Sequence, residues 1–135
     1  MPIPAIVERH GWARFRELER EAVMRTARLE RHILDCGGGV VEDPRNVADL
    51  REGGFCVLLT ATVATIARRI GGDANRPSLT GKSIVDEIEE KLAQRRALYA
   101  AAADVTVATD DVRPGAIVSA VLDSLPAGLW SAPDE

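Results

Sequence analysis

Apolar residues open the chain in a helical rhythm. Ile6, Phe15, Leu18, Ala22, Val23, Leu29 and Ile33 recur at spacings near three and four, with Arg and Glu between them, which predicts an amphipathic helix over 12–30. Gly11 interrupts the rhythm and sets off a short helix in front of it. His32-Ile33-Leu34-Asp35-Cys36 abandons that period, is mostly apolar and stops at Gly37-Gly38-Gly39. That pattern predicts a buried strand leaving into a glycine loop.

Residues 46–52 read as a helical turn stopped by Gly53-Gly54, and Phe55-Cys56-Val57-Leu58-Leu59-Thr60 as a strand. Its apolarity is continuous rather than alternating, which predicts a strand covered on both faces. A helix over 62–70, a loop over 71–77 and a long helix over 83–102 follow, the last with Ile84, Ile88, Leu92 and Leu98 on one stripe. Val105-Thr106-Val107-Ala108-Thr109 is a third strand, and Pro114 suits the first turn of a final helix ending near Leu125. Strands alternating with helices predict an α/β domain with a parallel sheet. One domain over 1–125 and a loose tail over 126–135 are expected, with no internal repeat.

Composition narrows the function classes. With 135 residues, 46% of them hydrophobic, the chain suffices for one domain. A net charge of −4 argues against a basic footprint for nucleic acid or an anionic membrane, and 4% aromatics against a base-stacking platform. No apolar run approaches the roughly 18–20 residues of a membrane span. Met1-Pro2-Ile3-Pro4 lacks the basic and apolar regions of a secretory signal, so a cytoplasmic location is expected. Cys36 and Cys56 have no metal-ligand spacing and are expected to be inert core thiols.

Of the 17 basic residues only Lys82 and Lys91 are not arginine, and arginine is the residue for two-pronged recognition of carboxylate and phosphate. Three stand in distinctive settings. Arg16 has Glu19 three positions on, where it can brace the guanidinium; Arg76 precedes Pro77 in a glycine-rich loop; Arg95 lies four residues before Tyr99 near a helix end. Gly37, Gly38 and Gly39 bare the backbone at the carboxyl end of an expected strand, where a polar ligand can approach its N–H groups; a flexible connector reads as well. Gly81-Lys82-Ser83 is not a phosphate loop, because Arg76 stands where the first glycine is required. Ser83 is instead expected to cap the long helix, with Asp86 as its partner acid. His10 and His32 have no partners at metal-ligand spacing, and the Asp86-Glu87-Glu89-Glu90 group reads as a solvated helix face.

Taken together and in order, Phe15-Arg16-x-x-Glu19, Gly37-Gly38-Gly39, Gly71-Gly72 ahead of Arg76-Pro77, Arg95 with Leu98-Tyr99, and Arg113-Pro114-Gly115 resemble the succession of motifs in the shikimate kinase family. The resemblance runs from about Ile3 to Leu125. It implies a three-layer, P-loop kinase-like α/β fold that phosphorylates the 3-hydroxyl of shikimate with ATP and Mg2+, in aromatic amino-acid biosynthesis. By position it implies that Arg16 and Arg95 hold the substrate carboxylate and that Gly37, Gly38 and Gly39 face its hydroxyls. It implies that Arg76 is the catalytic lid arginine on the ATP phosphates, and that Arg69, Arg113 and Pro114 lie against the adenine. The family's Gly-x-x-Gly-x-Gly-Lys-Ser/Thr loop, its Asp-x-Asp and its first two strands have no counterpart in these residues. No metal ligand is therefore assigned, and the chain alone is expected to be inactive. It is expected to be a monomer unless another chain completes the sheet. The alternative is a non-catalytic module that binds shikimate or a similar carboxylated polyol. A gluconate-type kinase accounts less well for Arg16, Glu19 and the three glycines.

Overall fold

In a computed structural model, which describes residues 1–71 and 83–129, helix α1 (Ile3–Thr26) is followed by a 3-10 turn (Gly38–Glu42) and α2 (Pro44–Gly53). Then come β1 (Val57–Thr60), α3 (Val63–Ile70), α4 (Ile84–Ala102), β2 (Val105–Ala108) and α5 (Pro114–Ser124). β1 and β2 pair in parallel, with Val57 opposite Val105 and Thr60 opposite Ala108.

Local chemistry sets most helix starts. Asp43 accepts the backbone N–H of Arg45 at 2.9 Å, and Pro44 follows it, so α2 begins earlier than position 46. Thr62 Oγ1 accepts from Thr65 N at 3.2 Å, Ser83 Oγ accepts from Asp86 N at 3.3 Å as expected, and Pro114 opens α5. Gly11 stands at φ 81°, ψ 169°, a non-helical state essentially reserved for glycine, so α1 is a short helix and a long one meeting at a kink, as the interrupted rhythm predicted.

Several expectations are corrected. The run 32–36 forms no strand and pairs with none of the described residues; Ile33 is 98% exposed. An apolar run becomes a strand only when a neighbour takes up its backbone hydrogen bonds, and none does so here. For the same reason Cys36 is exposed rather than in the core. β1 is not covered on both faces: none of its residues is buried, and Leu59 is 56% exposed. The helix predicted over 12–30 ends at Thr26, after which the chain turns through Arg31 in the left-handed region. Glu87 is buried rather than solvated, because the α4 surface that packs inward carries Glu87, Ile88 and Arg95 together. Of the expected tail, 126–129 form a turn closed by Leu129 N donating to Pro126 O at 3.2 Å; the remainder lies outside the described residues.

The core sits away from the sheet, where α1, the 3-10 turn, α2 and α4 meet. Val23, Ala27, Val40 and Val41 are buried there, with Val47, Leu50, Tyr99 and Ala102 packed around them. α2 closes on α1 so tightly that a Cβ at Gly53 would collide with the carbonyl oxygen of Ala27. Backbone cannot swing aside as a side chain does, so Gly53→Ala is expected to destabilise the chain by about 2 kcal/mol. Urea unfolding checks this, and an unchanged midpoint would mean that α1 and α2 separate freely.

Candidate functional site

Two of the arginines singled out in the sequence, Arg16 and Arg95, converge on the 3-10 turn. Arg16, on α1, lies with its guanidinium carbon 5.7 Å from the Trp12 ring centre and 5.3 Å from that of Phe15; the two rings meet edge to face. Glu19, one turn on, takes Arg16 Nη1 at 3.0 Å, the brace expected from the spacing. Arg95 reaches the same place from α4 and is only 8% exposed. A carboxylate at the end of the turn joins them. Glu42 Oε2 lies 3.2 Å from Arg16 Nη2, while Glu42 Oε1 accepts from both Nε and Nη2 of Arg95 at 3.3 Å.

The glycines serve this convergence. A Cβ at Gly39 would run into the Arg16 guanidinium. A Cβ at Gly38 would stand 3.0 Å from Tyr99 Oη and 3.3 Å from Arg95 Nη1, and at Gly37 3.9 Å from a Glu19 oxygen. Tyr99 Oη donates to Gly38 O at 2.7 Å and ties the turn to α4. Gly38 and Gly39 therefore let two arginines and a tyrosine close on bare backbone, while a side chain at Gly37 would meet only an ordinary contact. Gly39→Ala is expected to displace Arg16 while costing the fold under about 1 kcal/mol, because the obstructed group is the end of a flexible side chain. A thermal melt close to wild type with carboxylate binding weakened about tenfold is the expected pair of results; unweakened binding would separate Gly39 from the site.

The turn is anchored from below. Asn46, 1% exposed, donates through Nδ2 to Val40 O at 3.1 Å and accepts from Arg20 Nη1 at 3.1 Å. Arg20 Nη2 lies 2.7 Å from Asp49 Oδ2. Neither Glu42 nor this Arg20–Asn46 anchor was singled out in the sequence. The Asp43-Pro44 helix-start signal is the one local clue that places Asn46 in the first turn of α2.

A second group lies at the carboxyl ends of the strands, where parallel α/β sheets build ligand sites. Arg69 donates to Thr109 Oγ1 and to Thr109 O, each at 2.9 Å, and Arg113 and Pro114 follow a few residues on at the start of α5. Asp110 Oδ1 accepts from Thr62 N at 2.9 Å and from Thr62 Oγ1 at 3.0 Å. The Thr62 backbone N–H, then the Thr65 hydroxyl and the Thr62 hydroxyl, hold the Asp110 carboxyl down to about 2. A carboxyl lowered on folding contributes stability above its ordinary pKa and loses it as pH falls through the lowered value. Unfolding midpoints recorded between about pH 6 and about pH 2 are therefore expected to fall less steeply in Asp110→Asn than in wild type below about pH 4. Parallel curves would remove Asp110 as a source of acid sensitivity.

Arg76 lies outside the described residues. His10 and His32 are exposed, and among the described residues no cluster of His, Cys, Asp and Glu could hold a metal. Partial burial pushes both thiols up, with Asp35 and Glu19 adding to it at Cys36 and Asp104 at Cys56, so neither is activated as a nucleophile. No helix among the described residues is long and apolar enough to cross a membrane.

Comparison with known proteins points to one family. A family profile described as Shikimate kinase matches residues 1–126. Curated relatives include shikimate kinase 2 of Photorhabdus laumondii, 39% identical over 102 residues, covering 73% of this chain and 58% of the relative. Another is the shikimate kinase of Caldanaerobacter subterraneus, 38% identical over 111 residues, covering 82% and 64%. The chain thus spans about six-tenths of the length of these relatives. Among solved structures, a shikimate kinase from Acinetobacter baumannii in complex with shikimate aligns at a TM-score of 0.86 and 26% identity, over 90% of this chain and 68% of that one. One from Bacteroides thetaiotaomicron aligns at 0.74 and 27% identity, over 89% and 70%. The chain belongs to the shikimate kinase family.

Proposed function

We propose that this chain carries the acid-recognition part of a cytoplasmic shikimate kinase, an enzyme that transfers a phosphoryl group from ATP to shikimate. The observation that supports it best is the meeting of Arg16 and Arg95 on a single carboxylate, that of Glu42. Two guanidiniums arriving from α1 and α4 form a receptor for a planar anion, and ring stacking on Trp12 and Phe15 limits how far Arg16 can wander.

In this reading the substrate carboxylate lies between Arg16 and Arg95, and its hydroxyls face the bare backbone of Gly37, Gly38 and Gly39. The hydrogen bond from Tyr99 to Gly38 keeps that backbone in register with Arg95, one helical turn away on α4. Arg69, Arg113 and Pro114 border the place of the nucleotide base, and Arg76 supplies positive charge to the phosphates. Catalysis of this kind rests mainly on holding the acceptor hydroxyl in place and on electrostatics. The described residues offer magnesium no cluster of ligands, and the 135-residue sequence contains no Gly-x-x-Gly-x-Gly-Lys-Ser/Thr phosphate cradle. The isolated chain is therefore expected to bind shikimate without turning ATP over.

Titration calorimetry with shikimate, paired with a coupled assay for ADP release, tests both halves. A saturable one-to-one isotherm without shikimate-dependent ADP release is the expected outcome. No heat at millimolar shikimate would overturn the carboxylate reading, and clear turnover would overturn the proposed dependence on a phosphate cradle.

A further inference from the structure

We infer that Glu42 is an internal occupant of the carboxylate site: its side chain stands between Arg16 and Arg95 where a ligand carboxylate would bind, and its displacement sets the affinity of the site. This rests on the reading of Arg16 and Arg95 as a carboxylate-binding pair. The bridging pattern is the first ground. One oxygen of Glu42 faces Arg16 and the other faces Arg95, which is how a bound acid spans two guanidiniums.

Charge is the second ground. Arg16 and Arg95 are matched by Glu19 and Glu42, two cations against two anions, so an incoming acid meets no net positive charge while Glu42 stays. Once Glu42 swings out, one positive charge is left for the ligand to neutralise. A neutral polyol has nothing with which to replace Glu42, so the same side chain disfavours uncharged analogues.

The third ground separates the two carboxylates. Glu19 is a fixed brace: its side chain is 14% exposed, it shares α1 with Arg16, and its ion pair is 3.0 Å long. Glu42 is looser: 36% exposed, with contacts of 3.2 to 3.3 Å, longer than the usual 2.7–2.9 Å of a strong charge-assisted bond. It also borders an open cavity of about 430 Å³ whose walls include Arg16, Asp43, Pro44 and Arg45. A rotation about the Glu42 side-chain bonds would take its carboxylate into that space, beside Arg45, whose guanidinium Asp43 already holds at 3.1 Å through Nε and 2.8 Å through Nη2.

Calorimetric titration of wild type, Glu42→Gln and Arg95→Ala with shikimate decides the matter, each protein first checked by circular dichroism melting. Glutamine keeps the shape and an acceptor oxygen but removes the charge. Glu42→Gln is expected to bind shikimate about fivefold or more tightly than wild type, while Arg95→Ala loses binding. Should Glu42→Gln melt early, Glu42→Ala takes its place with the same expectation. If the Glu42 variant binds no more tightly than wild type while Arg95→Ala still loses binding, Glu42 is a brace and the inference fails, with the carboxylate reading intact. If none of the three proteins gives heat at millimolar shikimate, the carboxylate reading falls and the inference with it.

Discussion

Replacing Arg95 with alanine is expected to weaken shikimate binding about 100-fold, the loss that follows removal of a nearly buried guanidinium from a charged recognition site. Arg95 reaches Glu42 through both Nε and Nη2, and the surrounding turn and α4 leave it 8% exposed, so water cannot take over its role. Truncation leaves Arg16 as the single cation at the site, already shared between Glu19 and Glu42. The buried arginine stem also packs, so some loss of stability accompanies the change. Arg95→Lys separates the two effects. Lysine restores the stem and one positive charge but not the planar pair of donors, and an affinity about tenfold below wild type is expected for it. Calorimetry on the three proteins gives the ranking. Equal affinities would show that Arg95 serves the fold alone.

Asn46→Ala is expected to destabilise the chain by about 3 kcal/mol, although Asn46 touches no ligand in the proposed site. The side chain is 1% exposed and makes two bonds at once, donating to Val40 O and accepting from Arg20. Alanine leaves a buried carbonyl without its donor and a largely buried arginine without one of its acceptors, besides a small void. The damage falls on the 3-10 turn, because Val40 belongs to it and Glu42 ends it. Loss of stability and of shikimate affinity should therefore appear together. Urea unfolding of Asn46→Ala, Arg20→Ala and the double variant closes a cycle in which a coupling of about 1 kcal/mol or more is expected. A cost below about 1 kcal/mol for Asn46→Ala would show that the turn stands without its anchor.

The helices were largely legible because their signals are local. Ser83 caps α4, Pro114 opens α5 and Gly11 kinks α1, each through contacts within a few residues. α1 still ended four residues before the periodicity did, since its last turn gives way to the packing of Ala27 against Gly53. Strands were less legible. The run ending in Cys36 is mostly apolar and the run from Phe55 to Thr60 continuously so, and both read as strands, yet only the second contributes one, because only it finds a neighbour in β2. A helix satisfies its hydrogen bonds within itself, whereas a strand is defined by what lies beside it.

The site divides in the same way. Residue type and order along the chain were enough to single out Arg16, Gly37, Gly38, Gly39 and Arg95, and with them the family. Glu42 carried no local mark: its partner Arg95 lies 53 residues away, and a glutamate after two valines looks like any solvated acid. The role of the glycines also changed. Bare backbone reads in sequence as room for a ligand, and in three dimensions it is first of all room for Arg16, Arg95 and Tyr99. The sequence by itself determined the helices, the arginine chemistry and the family, because caps, periodicity and motif order are properties of neighbouring residues. Only the tertiary structure decided which apolar run became a strand, which acid was buried and which carboxylate the two arginines share, because each depends on groups brought together from distant parts of the chain.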